Sequence, residues 1–514
     1  MTARTLMIQG TSSSAGKSLL VTALCRIFAR RGLRVVPFKS QNMSNNAAVC
    51  ADGSEIGRSQ ALQAWAASVA PHSDMNPILL KPEGETRSQV IVNGRPWRPF
   101  AAADYYQQKE QFWTVATEAL DRLRGENDLV IIEGAGSPAE LNLADVEIVN
   151  MAIARHCNAP VLLVGDIERG GVFAQLLGTL WLLPRKDRTR VKGLIVNKFR
   201  GDLRLFDRGR ELLQVRGLVP VLGVLPWIDR LRLPEEDAAS LNAERMTSVD
   251  PDASSPWALD IAVIQLPHLS NFDDFDPLAD EPGVRVRFVR SPDQLDEPDV
   301  IILPGTKNTL GDLRWLRMTG LADPILRAAA QGRTVIGICG GYQMLGQKLT
   351  NPEQLESEWH SAAGLQLLDI ETTFSLDKRT QQVEIEMIDE TIAPGTLHQK
   401  MLGYEIHTGH TNSASAWLRH VAGGSCKEGD RLDGARSADG RIWGCYLHGL
   451  FHNDAFRVAW LKSQGLQPLA GEASRANHVV GASLDRLADA VENNLDMDQL
   501  VELVWNQESL PTHV

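Results

Sequence analysis

Residues 5–18 read Thr-Leu-Met-Ile-Gln-Gly10-Thr11-Ser-Ser-Ser14-Ala15-Gly16-Lys17-Ser18. A short β-rich run leads into a loop of small residues, then into Gly-Lys-Ser at the head of a helical pattern. Such a loop lets successive backbone N–H groups curl round a phosphate, and the helix N-terminus adds partial positive charge. In this pattern Gly10, Thr11, Ser14, Ala15 and Gly16 form the cradle of an ATP site. Lys17 reaches the outer phosphates, and the Ser18 hydroxyl ligates Mg2+. Five residues separate the two glycines, where the strict phosphate loop has four.

Working outward, β-rich runs recur at 34–38, 129–133, 160–164, 191–196 and 219–225. Most are continuous apolar runs, as expected of strands covered by helices on both faces. Helical patterns at 17–31 and 103–124 lie between them, and this alternation predicts a mostly parallel, doubly wound sheet. Residues 246–257 are polar and rich in Pro, Ser and Asp, which reads as a linker. A second α/β series restarts at 260–266, 284–289, 300–303 and 334–338. The stretch 365–450 reads as short β runs. Near the end, Leu484, Leu487, Ala488, Val491 and Leu495 share one helical face opposite an acidic one, so this helix is expected to cap a core. The predicted class is α/β: two doubly wound domains with a short helical C-terminal extension. The boundaries are 1–245 for the first domain, 246–258 for the linker, 259–460 for the second domain and 461–514 for the extension.

Composition narrows the partners. Against 52 Lys+Arg stand 64 Asp+Glu, a formal net charge of −12, which argues against a nucleic-acid binder. No apolar run approaches the ~18–20 residues of a membrane span, and the N-terminus lacks the pattern of a signal peptide. Six cysteines without paired spacing fit a reducing cytoplasm better than a disulfide framework. The pattern leaves the oligomeric state open.

Three strand ends support the nucleotide reading, because ligands in open α/β sheets bind at the carboxyl ends of strands. Glu133 ends the run Leu129–Glu133 before Gly-Ala-Gly136, as a candidate for Mg2+ or a substrate group. Asp166 and Asn197 end the next two, with Asn197 a candidate for reading a base edge.

A second site centres on Thr-Val-Ile-Gly-Ile-Cys339-Gly340-Gly-Tyr-Gln, a buried strand turning into a helix. A tight elbow of this kind presents a nucleophile at a helix N-terminus, where the local field favours a thiolate, and its glycines leave room for the turn. His448 ends the run Gly444-Cys-Tyr-Leu-His448 and is the candidate base. Gly305, in the turn after Val300–Leu303, and Gly340 are candidates for the oxyanion hole.

The first half resembles the dethiobiotin-synthetase-type ATPases, through the five-residue loop, Lys39 after the second strand and Glu133-Gly-Ala-Gly. That resemblance implies activation of a carboxylate by ATP through an acyl phosphate or a related mixed anhydride. The second half resembles class I glutamine amidotransferase domains, which implies that Cys339 attacks the glutamine amide and His448 shuttles the proton. The usual acidic third member, two residues after the histidine, is Leu450 here. Its absence is a feature of the cobyrinate-amidating subgroup, and Glu405 or His407 are candidates to position His448.

Together the two halves resemble the glutamine-hydrolysing cobyric acid synthase family. Residues 38–46, 55–61, 76–82 and 403–407 carry that match. The resemblance implies amidation of the b, d, e and g carboxylates of adenosylcobyrinic acid a,c-diamide, with ATP, Mg2+ and glutamine. It also points to Lys39, Gln41, Asn42, Arg58, Gln60 and Lys81 as corrinoid contacts, with Arg87 a further cation. The alternatives are a cobyrinic acid a,c-diamide synthase and, in a different class, a ParA/MinD-like ATPase with a non-catalytic second domain.

Overall fold

The computed structural model describes residues 2–83, 87–101, 108–143, 145–229, 231–234, 257–421, 432–466 and 475–506. Most of the expected linker lies outside the described residues. The first sheet has six parallel strands in the order Val221–Pro226, Val191–Phe199, Val161–Asp166, Arg4–Gly10, Leu129–Glu133, Val35–Phe38. Alternate residues serve opposite faces, as strand geometry requires. Leu6, Ile8, Leu129, Ile131, Leu162 and Val164 enter one core layer, while Met7, Val130, Ile132, Val161 and Leu163 enter the other. That division is why these strands read as unbroken apolar runs.

The second sheet orders Val284–Val289, Leu259–Ile264, Val300–Leu303, Thr334–Ile338 and Ile442–Cys445 in parallel. Ala435–Arg436 adds an antiparallel edge. The stretch expected to hold short β runs does hold short strands at Leu418–His420 and Leu432–Asp433, and also two long paired ones, Ile370–Met387 and Lys400–Ser413. Mixed burial along both strands masks their length in the sequence. A further four-stranded sheet, Gln41–Met43, Ile78–Pro82, Arg87–Val92 and Arg95–Ala101, sits in the first domain. Its hairpin turns at Asn93-Gly94, both at positive φ (47° and 74°), the dipeptide most typical of a two-residue hairpin.

The helices Arg475–Glu492 and Met497–Trp505 fold back onto the first domain. Leu484, Leu487, Ala488, Val491, Leu495, Leu500 and Val504 join the core layer that covers the helix Lys17–Arg30 and the strand Arg4–Gly10. The acidic face meets arginines: Arg26–Asp485 at 2.8 Å, Arg30–Asp489 at 2.6 Å and Arg31–Glu492 at 2.7 Å. Exposed ion pairs contribute only about 0–1 kcal/mol each, so the apolar face holds this helix. Leu487→Ala should cost about 2–5 kcal/mol. In hydrogen exchange the loss should appear first in the helix Lys17–Arg30, and unchanged protection there would show that the C-terminal helix does not stabilise the first domain.

Candidate functional site

The phosphate loop follows the central strand. Gly16 caps the helix Lys17–Arg30 at φ 98°, and Ser14 also has positive φ at 58°. A Cβ on Gly16 would lie 2.0 Å from the Asn197 side-chain nitrogen, so only glycine fits. Asn197 braces the loop by donating from Nδ2 to the Ala15 carbonyl at 3.0 Å. Lys198 donates to the Ser14 carbonyl at 2.8 Å and pairs with Asp166 at 2.9 Å. Thr11 donates from its backbone N–H to the Val164 carbonyl at 2.9 Å, which ties the loop to the sheet just after Gly10. The Lys17 ammonium bridges the Ser12 and Gly136 carbonyls at 2.9 and 3.1 Å, so it spans the concave side of the loop.

Beside the loop, Glu133 is buried and fully engaged. Ser18 Oγ donates to it at 2.7 Å, Lys39 Nζ at 3.0 Å and Gln63 Nε2 at 2.6 Å. Burial alone would raise its pKa; Lys39, Gln63 and Ser18 outweigh that and hold it below the ordinary carboxylate range. The ionised carboxylate and the Ser18 hydroxyl form a hard-oxygen donor pair of the kind Mg2+ takes. Lys39 therefore sits at the phosphate loop. Gln63 has no counterpart among the residues expected from sequence, because a glutamine within a helix carries no spacing signal.

In the second domain Cys339 lies between the strand Thr334–Ile338 and the helix Gly340–Met344, at φ 52° and ψ −110°. This strained backbone is the elbow. Glycines make room for it: a Cβ on Gly340 would meet Thr306 Cγ2 at 2.7 Å, and one on Gly341 would meet the Leu303 carbonyl at 1.9 Å. Gly305 lies against the histidine, with His448 Cε1 3.0 Å from where its Cβ would stand. Gln343, one turn beyond the thiol, accepts from Thr309 Oγ1 at 3.0 Å and donates to the Tyr446 hydroxyl at 3.1 Å.

His448 is buried, and the Cys339 thiol donates to the Ile406 carbonyl at 3.6 Å. Its orienting group is Asp274, whose Oδ2 takes Nδ1 at 2.6 Å while Oδ1 accepts from the Gly449 N–H at 2.9 Å. Neither candidate from sequence fills this role. Glu405 pairs with His420 at 3.1 Å and accepts from Gln381 at 3.0 Å. His407 stacks on Tyr446 with ring centroids 3.8 Å apart, and burial brings its pKa down to about 4 despite Glu405. At His448 burial also pulls the pKa down, but Asp274 and then Cys339 outweigh it and push it up to about 10. The acid thus comes from within the 3-10 helix Phe272–Phe275 rather than from the segment after the histidine.

Of the other sequence candidates, Arg58 and, through Glu55, Lys81 reach the second domain. Asn42 donates to Gln60 at 3.1 Å, and both are buried. Lys81 pairs with Glu55 at 2.5 Å, and Glu55 also pairs with Lys378 of the second domain at 2.6 Å. Arg58 pairs with Asp273 at 2.8 Å and donates to the Tyr404 hydroxyl at 2.6 Å. Gln41 is half-buried. Arg87 starts a strand, and its side chain lies outside the described residues.

A phosphate loop with an ionised carboxylate in one domain and a Cys–His–Asp site in the other define an ATP-dependent, glutamine-hydrolysing amidoligase. The CobQ/CobB/MinD/ParA nucleotide binding domain matches residues 6–241, and the CobB/CobQ-like glutamine amidotransferase domain matches residues 260–456. A cobyric acid synthase of Chloroflexus aurantiacus is 52% identical over 96% of this chain and 97% of its own. One from Roseiflexus castenholzii is 51% identical over 91% and 93%, and one from Sorangium cellulosum 48% identical over 98% and 99%. The chain belongs to the cobyric acid synthase family.

Asp274→Asn should lower kcat for glutamine hydrolysis by about 10²–10⁴-fold, the effect of mis-setting a triad histidine. The carboxylate favours the imidazolium, so its loss lets His448 deprotonate at lower pH. The alkaline limb of the pH–rate profile for glutamate release should therefore move to lower pH, and a limb that stays in place would exclude Asp274 as the orienting acid.

Proposed function

We propose that this chain amidates the b, d, e and g carboxylates of adenosylcobyrinic acid a,c-diamide, using one glutamine and one ATP for each. The observation that carries the reading is the end-to-end similarity to cobyric acid synthases, with both sites present on the one chain. A carboxylate does not yield to ammonia, because oxide is a poor leaving group. Phosphorylation by ATP makes phosphate the leaving group. Lys17 and the loop N–H groups stabilise charge on the transferred phosphoryl. Ser18 and Glu133 would hold Mg2+, which when bound neutralises phosphate charge.

In the second domain, His448 takes the Cys339 proton and the thiolate attacks the glutamine amide. The imidazolium, held by Asp274, then gives its proton to the departing ammonia. Backbone N–H groups at Gly305 and Gly340 receive the oxyanion. Water hydrolyses the thioester to glutamate. Ammonia in neutral water is mostly ammonium and not nucleophilic, so it passes to the acyl phosphate within the protein. The corrinoid meets the first domain along Gln41–Met43 and the residues beside it. There Met43 is 56% exposed while Asn42 and Ser44 are buried, an apolar contact for the macrocycle rimmed by amides. Among the described residues no helix is long and apolar enough to cross a membrane, and we place the reaction in the cytoplasm.

Mass analysis of the product formed from the a,c-diamide with glutamine, ATP and Mg2+ should show four successive single amidations. Amidation of cobyrinic acid in place of its a,c-diamide would overturn the substrate assignment. Cys339→Ser should abolish glutamine-dependent amidation yet retain turnover with ammonium salts, whereas Lys17→Ala should lose both.

A further inference from the structure

Two of the groups that hold the triad histidine, Asn271 and Tyr404, are tied to the other domain. Asn271 Nδ2 lies 3.3 Å from His448 Nε2. Asn271 itself has φ 51°, and the first domain fastens it twice. Its N–H donates to Asn46 Oδ1 at 2.7 Å, and its Oδ1 accepts from the Ala47 N–H at 3.1 Å. The Tyr404 ring stacks on the His448 ring, with centroids 5.1 Å apart and planes 16° apart. Tyr404 and His448 also exchange backbone hydrogen bonds at 3.2 and 2.9 Å. Arg58, from the first domain, reaches the Tyr404 hydroxyl and the Asp273 carboxylate together.

Asp273 and Asp274 are successive buried carboxylates, with side chains 3% and 5% exposed. Two such charges side by side need a cation, and a buried carboxylate left without one is strongly destabilising. Removing Arg58 leaves Asp273 buried without its ion-pair partner, on the same 3-10 helix Phe272–Phe275 that carries Asp274, the acid against His448. Arg58 is therefore placed to act on the histidine through Asp273 and Tyr404, with no contact to the thiol.

The arginine's own mounting sharpens the point. It opens the helix Arg58–Ala66, and Gln63 on the same helix holds Glu133 beside the phosphate loop. Five residues of helix rise about 7.5 Å, so one short rigid element touches both active sites.

We infer that Arg58 of the ATP-binding domain is a positioning residue of the glutaminase site, fixing Asp273 and Tyr404 so that Asp274 aims His448 at Cys339. The inference rests on the proposed glutaminase role of Cys339 and His448. It assigns Arg58 to that site and not to direct corrinoid contact.

The test is a double-mutant cycle on the full chain with Arg58→Met, Asp273→Asn and the pair together. The readouts are glutamate release and the KM values for glutamine and for the a,c-diamide, with ATP and Mg2+ present. Each single change should lower kcat for glutamine about tenfold and leave the glutamine KM within twofold. The double variant should be no slower than either single, because coupled residues are not additive. Arg58→Lys restores the charge without the planar fork and should recover part of the rate. If Arg58→Met fails to melt cooperatively, Arg58→Lys and Asp273→Asn carry the same comparison. An unchanged glutamine kcat with a raised a,c-diamide KM, or losses that multiply in the double variant, would overturn the inference. A wild-type chain that releases no glutamate would instead sink the glutaminase reading itself.

Discussion

A carboxylate taken out of water stays ionised only where cations and hydrogen-bond donors replace its hydration. This protein buries Glu55, Glu83, Asp273 and Asp274 where the domains meet, with Glu83 paired to Lys307, and Glu133 beside the phosphate loop. Each is answered from a different segment. Glu133 draws on Ser18, Lys39 and Gln63, and Glu55 on Lys81 and Lys378. Asp273 draws on Arg58 and Asp274 on His448. Glu55–Lys378, Glu83–Lys307 and Arg58–Asp273 cross between the domains, so neither half presents a satisfied surface alone. Apolar contacts would hold the halves together with less directional demand. Paired charges fix register as well, because a shift of one residue strands a charge.

This requirement explains the polar segments 38–46, 55–61 and 76–82. As sequence they look like solvated loops or ligand-binding surface. In the fold Lys39, Ser40, Asn42, Asn46, Glu55, Arg58, Gln60, Asn76 and Lys81 are all buried. They satisfy one another and the facing domain, which is how a polar layer survives inside a protein. What remains outward-facing, at Gln41, Met43 and Asn45, follows the alternation of an edge strand.

The sheets were legible because both faces of each strand are covered, so each strand is a continuous apolar word with a turn after it. The strands Val284–Val289, Val300–Leu303 and Thr334–Ile338 begin and end where the pattern does. Cys339 and Lys17 were legible because their glycine surroundings have few other uses. Asp274 was not. It lies 174 residues from its histidine in the run Asn-Phe-Asp-Asp-Phe-Asp, where three aspartates compete and periodicity distinguishes none of them. Asn93-Gly94 carries the local signal of a two-residue hairpin turn in the sequence itself. The apolar stripe Leu484–Leu495 was readable as a core-capping helix, but a stripe does not name its partner sheet.

That partner has a consequence for how the molecule comes into being. The helix Arg475–Glu492 covers the sheet that carries the phosphate loop, yet in chain order it follows the whole glutaminase sheet. Topologically the thiol domain is an insertion into the ATP-binding one. During synthesis the ATP-binding core cannot be sealed until the domain that supplies its nitrogen has already left the ribosome.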